Sequence, residues 1–426
     1  TTEIYTLSLH DALPISWRQR RPYYRGPDVR LEGPVCLDLR AEAPQQIWIQ
    51  ARLPDLPGER QAWIEIHGQT PSCRLARLPV SLEVLPFRLR EPRQDRLLWY
   101  RGCLDRDRHQ HAVSVAEMKC QLRQIREAGF SSLTVGESKP ALAQEVINLA
   151  RQAGFNRNVV LLEPHPPEAL RFGPLKPVYY LSDEVDGHDG LALARHQARY
   201  CRVRGWGSTM ASLLSPDSIA QLGAYPPDVL SLNVSHSTLL LQVLRSFPER
   251  WPRPLYYHWP AHLEKPGLHR LLAGIGLWLS GAEGIAPYCY QHLPGFPGDP
   301  FDDQDPWEPD FRLKGQLQDF RHHLATYPSQ NGPIATVQWE GLREGLLDLA
   351  YLTTWEHQLQ QSEKRFPKQV EASRQAVKRR LPCVDWGAIR PGSPDREPSP
   401  SFSAEDLDTL RQWLIQDILS HQERTS

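Results

Sequence analysis

The sequence predicts an α/β protein: a (β/α)8 barrel with a partial N-terminal β-sandwich and a C-terminal helical extension. Three observations carry this. From residue 97, eight short apolar runs alternate with helical stretches, the pattern of βα units and a parallel sheet. Residues 35–90 instead show apolar and polar side chains alternating with period two, broken by turn residues. Beyond residue 330 the strand rhythm stops and long amphipathic stretches follow.

In chain order, the opening TTEIYTLSLHDALPIS (1–16) gives way abruptly to WRQRRPYYRG. It resembles translated read-through of a sequencing adapter of the kind met in assembled metagenomic genes, so it is set aside from the fold argument, and with it any expectation about a leader or compartment. Residues 17–93 are assigned to the sandwich through VCLDLRA, QQIWIQARL, QAWIEIHG and RLARLPVSLEVLPF, with LPDLPGE and GQTPS as turns. Trp48, Trp63, Trp278 and Tyr351 fall in patterned segments and are expected in the core.

The barrel spans 94–330, with strand runs at 97–102, 131–136, 158–164, 177–184, 205–211, 228–234, 254–260 and 284–291. The helix after the first opens with the capping box Ser114-Val-Ala-Glu117 and stops before Gly129. Between the third and fourth runs, HPPEALRFGPLK is broken by proline and barely helical. A helical extension covers 331–385, a Pro/Ser linker 386–402, and a last capped helix 403–426.

At 426 residues the chain is long enough for two to four units at roughly 100–200 residues each. Lys plus Arg is 49 and Asp plus Glu 50, which argues against a nucleic-acid partner, since that affinity needs excess cations to neutralise phosphates. A mean hydropathy of -0.50 and the absence of any run of about 18 apolar residues argue against a membrane-spanning helix. The seven cysteines form no CxxC pair and read as small core residues. Neither His109/His111 nor His322/His323 has a neighbouring carboxylate or thiol to complete a metal site, so no metal or organic cofactor is expected.

In a parallel barrel the chemistry sits at the C-terminal strand ends. The fourth run ends in Asp183-Glu184, with Tyr180 before them; the sixth ends at Asn233; the seventh carries Tyr257, His258 and Trp259; the eighth carries Tyr288 and Tyr290; the loop beyond adds Trp307. Asp183 and Glu184 are the catalytic candidates, and Tyr180, Asn233, Tyr257, Trp259, Tyr290 and Trp307 the candidates for holding substrate. Carboxylates among flat rings suit glycosidic cleavage, which needs a proton for the leaving oxygen, an anion against developing positive charge, and planes on which a sugar stacks. Adjacent residues do not easily flank a sugar at the wide spacing of an inverting pair. They suit better a substrate whose own 2-acetamido oxygen attacks the anomeric carbon.

The segment GPIATVQWEGLREGLLDLAYLTTWE (332–356), with YYLSDE and RLLAGIGLWLSGAEGIAPYCYQ, resembles glycoside hydrolase family 123 and its relatives over about residues 35–380. The resemblance implies a β-sandwich, a (β/α)8 barrel and a helical extension. It also implies retaining, acetamido-assisted β-N-acetylgalactosaminidase chemistry, with Asp183 orienting the acetamido group and Glu184 as general acid/base. Val185 stands where relatives often carry Pro after the pair, and Gln338 where they often carry Arg. Trp339, Glu340, Arg343, Glu344, Gly345, Asp348 and Tyr351 match the family's most specific string, with Arg343 and Asp348 expected to be a structural clamp. The expectation is a hydrolase of terminal β-linked N-acetylhexosamine in a glycan or glycoconjugate, GalNAc before GlcNAc. A barrel hydrolase of another sugar and a non-catalytic carbohydrate-binding protein are the alternatives.

Overall fold

The computed structural model describes residues 4–7, 49–52, 56–67, 74–105, 112–185, 188–213, 226–233, 253–257, 266–291, 325–327, 332–381 and 403–425. The chain divides into two units, Thr1–Leu89 and Arg90–Ser426.

In the first unit, β1 (Ile4–Leu7) pairs antiparallel with β2 (Ile49–Arg52), so part of the opening segment set aside above is paired as a strand. A second antiparallel pair joins β3 (Gly58–His67) and β4 (Arg74–Val84). Trp63, expected in the core, is instead 50% exposed. Period two places it on the face shared by Gln61 and Glu65 rather than with Ala62 and Ile64, and the Arg77 guanidinium lies 3.9 Å from its ring centroid.

The second unit holds the barrel. Its strands are β5 (Asp95–Leu98), β6 (Ser132–Val135), β7 (Asn158–Leu161), β8 (Lys176–Val185), β9 (Ser208–Leu213), β10 (Val229–Asn233), β11 (Arg253–Tyr257) and β12 (Gly284–Ile285). They lie parallel in chain order, and β12 closes on β5 through Gly284↔Asp95 and Ile285↔Arg96. Each coincides with one of the eight sequence runs. A Cβ on Gly284 would run into the Asp95 carbonyl, so only glycine permits the seam.

Between the strands lie α1 (Val115–Glu127), α2 (Pro140–Gln152) and α3 (His188–Val203). Before β12, α4 (Pro266–Leu271) runs through a π segment (Leu272–Gly276) into α5 (Leu277–Ser280). α1 starts at the expected capping box, Ser114 Oγ accepting the Glu117 N–H while Glu117 accepts the Ser114 N–H. Between β7 and β8 the described chain makes only a short 3-10 turn, Pro167–Ala169, as the prolines require.

Strand alternation creates two apolar layers. Leu97, Val160, Val178, Met210, Val229 and Leu255 fill the barrel interior. Leu98, Leu133, Val159, Tyr179, Leu230 and Tyr256 face outward and pack under helix residues such as Met118, Leu122, Ile125 and Val146. Each such apolar side chain contributes about 1.5–3 kcal/mol on burial.

After β13 (Thr326–Tyr327) and β14 (Ile334–Ala335), which pair antiparallel, come α6 (Val337–Ser362), α7 (Pro367–Arg380) and α8 (Ala404–Thr425). Thr336 caps α6 by accepting the Trp339 N–H. The glycines of the WEGLREG string let α6 lie directly on the helix containing the π segment. A Cβ on Gly345 would sit 2.5 Å from the Arg270 carbonyl oxygen, and one on Gly274 would sit 2.6 Å from that of Gly345.

The expected clamp is real but differently paired. Asp348 accepts from Arg270 Nε at 2.7 Å and from Arg411 Nε of α8 at 2.6 Å, while Arg343 turns to Glu340. Arg343 lies five residues, about one and a half turns, before Asp348, so it falls off Asp348's side of the helix.

Candidate active site

Everything distinctive about the barrel's C-terminal face starts with the irregularity of β8. A regular strand points residues i and i+3 to opposite faces, and adjacent residues also to opposite faces. By that rule Tyr180 and Asp183 could not meet, nor could Asp183 and Glu184 share one side. The strand breaks the rule twice. Against β9, Tyr180 pairs with Met210 but Ser182 with Ala211, and then Val185 with Leu213. Each step inserts one extra residue on β8, which is what a bulge does: it bends the strand and re-aims side chains. Glu184 itself has φ 43°, a left-handed conformation that costs a non-glycine residue about 1–2 kcal/mol.

The result is a pair of carboxylates, each held by a tyrosine hydroxyl. Tyr180 donates to Asp183 Oδ1 at 2.5 Å, and Tyr257, at the end of β11, donates to Glu184 Oε1 at 2.6 Å. Behind Tyr180 stands Ser212 of β9, its Oγ 2.5 Å from the phenol oxygen. Beside Tyr257 stands Asn233 of β10, 3% exposed and hydrogen-bonded to it. The backbone register sets Asn233 directly opposite Tyr257.

Burial, then the charge and hydrogen bond of Asp183, hold the Tyr180 phenol well above its ordinary range. Burial, then the hydrogen bond and charge of Glu184, do the same at Tyr257. Burial again dominates at Tyr288, where Asp183 also contributes. All three phenols therefore stay protonated donors at neutral pH, and all three sense the Asp183 charge. Asp183 itself is exposed and Glu184 half-buried.

An aromatic wall completes the face. Trp99 meets Tyr180 edge-on with centroids 5.0 Å apart and Tyr288 with centroids 5.9 Å apart. Arg101, continuing the inward alternation Leu97-Trp99-Arg101, donates from its guanidinium to the Tyr288 hydroxyl.

Of the residues singled out in the sequence, Asp183, Glu184, Tyr180, Asn233 and Tyr257 come together here. Trp259 and Trp307 lie outside the described residues, as do His258 and the two histidine pairs. Tyr290 is a correction. It is completely buried in the layer behind the strands, between Tyr100 and Trp339, and its hydroxyl donates to Gln124. β12 is only two residues long, so strand parity does not carry as far as residue 290, and Tyr288 takes the mouth position instead.

Sequence reading missed Trp99, Arg101 and Ser212. The alternation in LLWYRG carried a signal for the first two; a serine in GWGSTMASL carried none. Among the described residues no group of three or more His, Cys, Asp or Glu side chains could hold a metal ion.

No family model and no curated protein matches the sequence. Solved structures do match. A family 123 glycoside hydrolase from Clostridium perfringens, studied for glycolipid glycan hydrolysis, is similar at a TM-score of 0.56 and 11% identity, covering 88% of this chain and 78% of that one. The two chains share a fold. A β-D-glucuronidase from Dictyoglomus thermophilum overlaps at TM-score 0.41 and 10% identity over 71% of this chain and 61% of its own. An N-acetylneuraminate lyase from Mycoplasma synoviae overlaps at 0.33 and 9% over 77% and 99%. These two are too distant to bear on the site.

Proposed function

We propose that the protein is a glycoside hydrolase that removes terminal β-linked N-acetylhexosamine, GalNAc in preference to GlcNAc, from a glycan or glycoconjugate by retaining, acetamido-assisted hydrolysis. The observation that carries the reading is the adjacent Asp183–Glu184 pair, turned to one side by the β8 bulges and bonded to two different tyrosines. The likeness of fold to a family 123 glycoside hydrolase supports it.

Tyr257 occupies Glu184 Oε1, which leaves Oε2 to carry a proton to the glycosidic oxygen as the bond to the anomeric carbon breaks. Tyr180 occupies Asp183 Oδ1, which leaves Oδ2 to accept the acetamido N–H and to face the positive charge that develops as the acetamido oxygen attacks. In the second half-reaction Glu184 takes a proton from water, the water oxygen bonds to the anomeric carbon, and the ring closed by the acetamido group reopens. Tyr288, half-buried, offers a ring surface for the sugar, with Trp99 packed against it and Tyr180.

Glu184→Gln tests the assignment. A positioned proton donor is worth about 10²- to 10⁴-fold in rate. The loss is expected to be largest on alkyl glycosides and smallest on dinitrophenyl glycosides, which need no proton to leave. An equal loss on both would remove Glu184 from the role.

A further inference from the structure

The tyrosine that holds Asp183 is itself held. Its single O–H cannot serve two acceptors, and the phenol oxygen lies 2.5 Å from both Asp183 Oδ1 and Ser212 Oγ. An ionised carboxylate only accepts hydrogen bonds, so the phenol proton goes to Asp183, and the Ser212 hydroxyl must then donate to the phenol oxygen. Ser212 is 2% exposed, on the neighbouring strand, where β9 supplies it from the interior side in step with Met210. Tyr180 is fixed from its edge by the Trp99 ring.

We infer that Ser212 and Tyr180 are positioning residues for the proposed reaction: a one-way chain of hydroxyls, Ser212 O–H to Tyr180 O–H to Asp183, that holds Asp183 in the single orientation its charge is used in. Each bond polarises the next, so the serine strengthens the tyrosine as a donor. The β8 bulge makes the chain possible, since a regular strand would point Tyr180 and Asp183 to opposite faces. The chain ends on the acetamido side of the pair and does not reach Glu184, whose partner Tyr257 comes from another strand. This assignment rests on the acetamido-assisted reading for its kinetic consequences and on geometry alone for its structural one.

The kinetic test compares Tyr180→Phe, Ser212→Ala and the double variant on 4-nitrophenyl β-GalNAc, and measures their affinity for a thiazoline mimic of the bicyclic intermediate. Tyr180→Phe is expected to lower kcat by about 10- to 100-fold, the scale of a lost hydrogen bond to a charged group, and Ser212→Ala by about 3- to 10-fold. Thiazoline binding should weaken in parallel, and sensitivity to the leaving group should stay as in the native protein, because proton donation is untouched. The double variant should be no worse than Tyr180→Phe, and Ser212→Thr should restore most of the loss. Losses that multiply in the double variant would overturn the chain.

The structural test needs no substrate. In a high-resolution crystal structure of Tyr180→Phe, Asp183 should occupy more than one rotamer; an unmoved Asp183 would overturn the inference whatever the kinetics. If Asp183 loosens but the native protein does not hydrolyse the acetamido substrate, the positioning chain stands and the functional reading falls.

Discussion

Tyr257→Phe is the most informative single substitution at the candidate site. The variant keeps the ring, which is 5% exposed and packed in the barrel interior, and deletes one oxygen. That oxygen donates to Glu184 Oε1 at 2.6 Å, and in the proposed reaction the bond would strengthen as Glu184 gives up its proton and becomes an anion. A hydrogen bond to a charged partner contributes about 1.5–3 kcal/mol. At about 1.4 kcal/mol per tenfold in rate, kcat/KM should fall roughly 10- to 150-fold where proton transfer limits. Steady-state kinetics on a series of β-GalNAc glycosides, from dinitrophenyl to alkyl leaving groups, reads this directly. The loss should grow as the leaving group becomes poorer and shrink to a few-fold for dinitrophenyl, while the unfolding free energy falls by about 1–3 kcal/mol, because the buried Asn233 loses a partner as well. A loss below threefold on every substrate, or one independent of the leaving group with folding intact, would refute the link between Tyr257 and acid catalysis.

The remaining predictions concern the scaffold. Asp348→Ala removes the carboxylate shared by Arg270 and Arg411, leaving Arg270 with Asp408 and Arg411 with Glu344, and should cost about 1.5–3 kcal/mol in urea unfolding, the scale of lost hydrogen bonds to a charged group; a cost below about 1 kcal/mol would show that the clamp is dispensable. Gly345→Ala should lower stability by about 1–3 kcal/mol through overpacking against the Arg270 carbonyl, whereas Gly267→Ala in α4, where a Cβ meets nothing within 4 Å, should be neutral or slightly stabilising; equal midpoints in thermal unfolding would contradict this. Burial pushes the Glu344 carboxyl up, but Arg411, Arg343 and Arg270 together hold it below its ordinary value. The unfolded chain therefore binds the proton more readily, so Glu344 contributes stability above its ordinary titration range that is lost as pH falls through the folded value. Glu344→Gln should flatten the acid limb of unfolding free energy against pH, and an unchanged limb would contradict the assignment.

Much of the fold was legible because barrel strands are short apolar runs with helices between them, and each of the eight runs became a strand. The Asp183–Glu184 pair was legible as well, since it ends the fourth run. What makes the pair usable was not. The two bulges on β8 and the left-handed Glu184 depend on how β9 lies alongside, and no residue type near 180–185 announces them. Ser212 was invisible for a similar reason, because its partner lies 32 residues away. Tyr290 departs from its expected place because the eighth run, 284–291, reads as one strand whereas β12 ends at Ile285. Trp63 departs from its expected core position because it shares a strand face with the exposed Gln61 and Glu65. Asp348 is structural as expected, but its ionic partners come from α4 and α8, the latter 63 residues on, and Arg343 pairs with Glu340 of its own helix instead.

The central claim, that this barrel mouth cleaves a glycoside with the help of the substrate's own acetamido group, is tested most directly by comparing hydrolysis of 4-nitrophenyl β-GalNAc with that of 4-nitrophenyl β-galactoside, which differs only in carrying a 2-hydroxyl. Turnover of the first is expected, with essentially none of the second and strong loss of the first in Asp183→Asn. Ready turnover of the galactoside, or a sugar trapped covalently on any carboxylate of the protein, would contradict it.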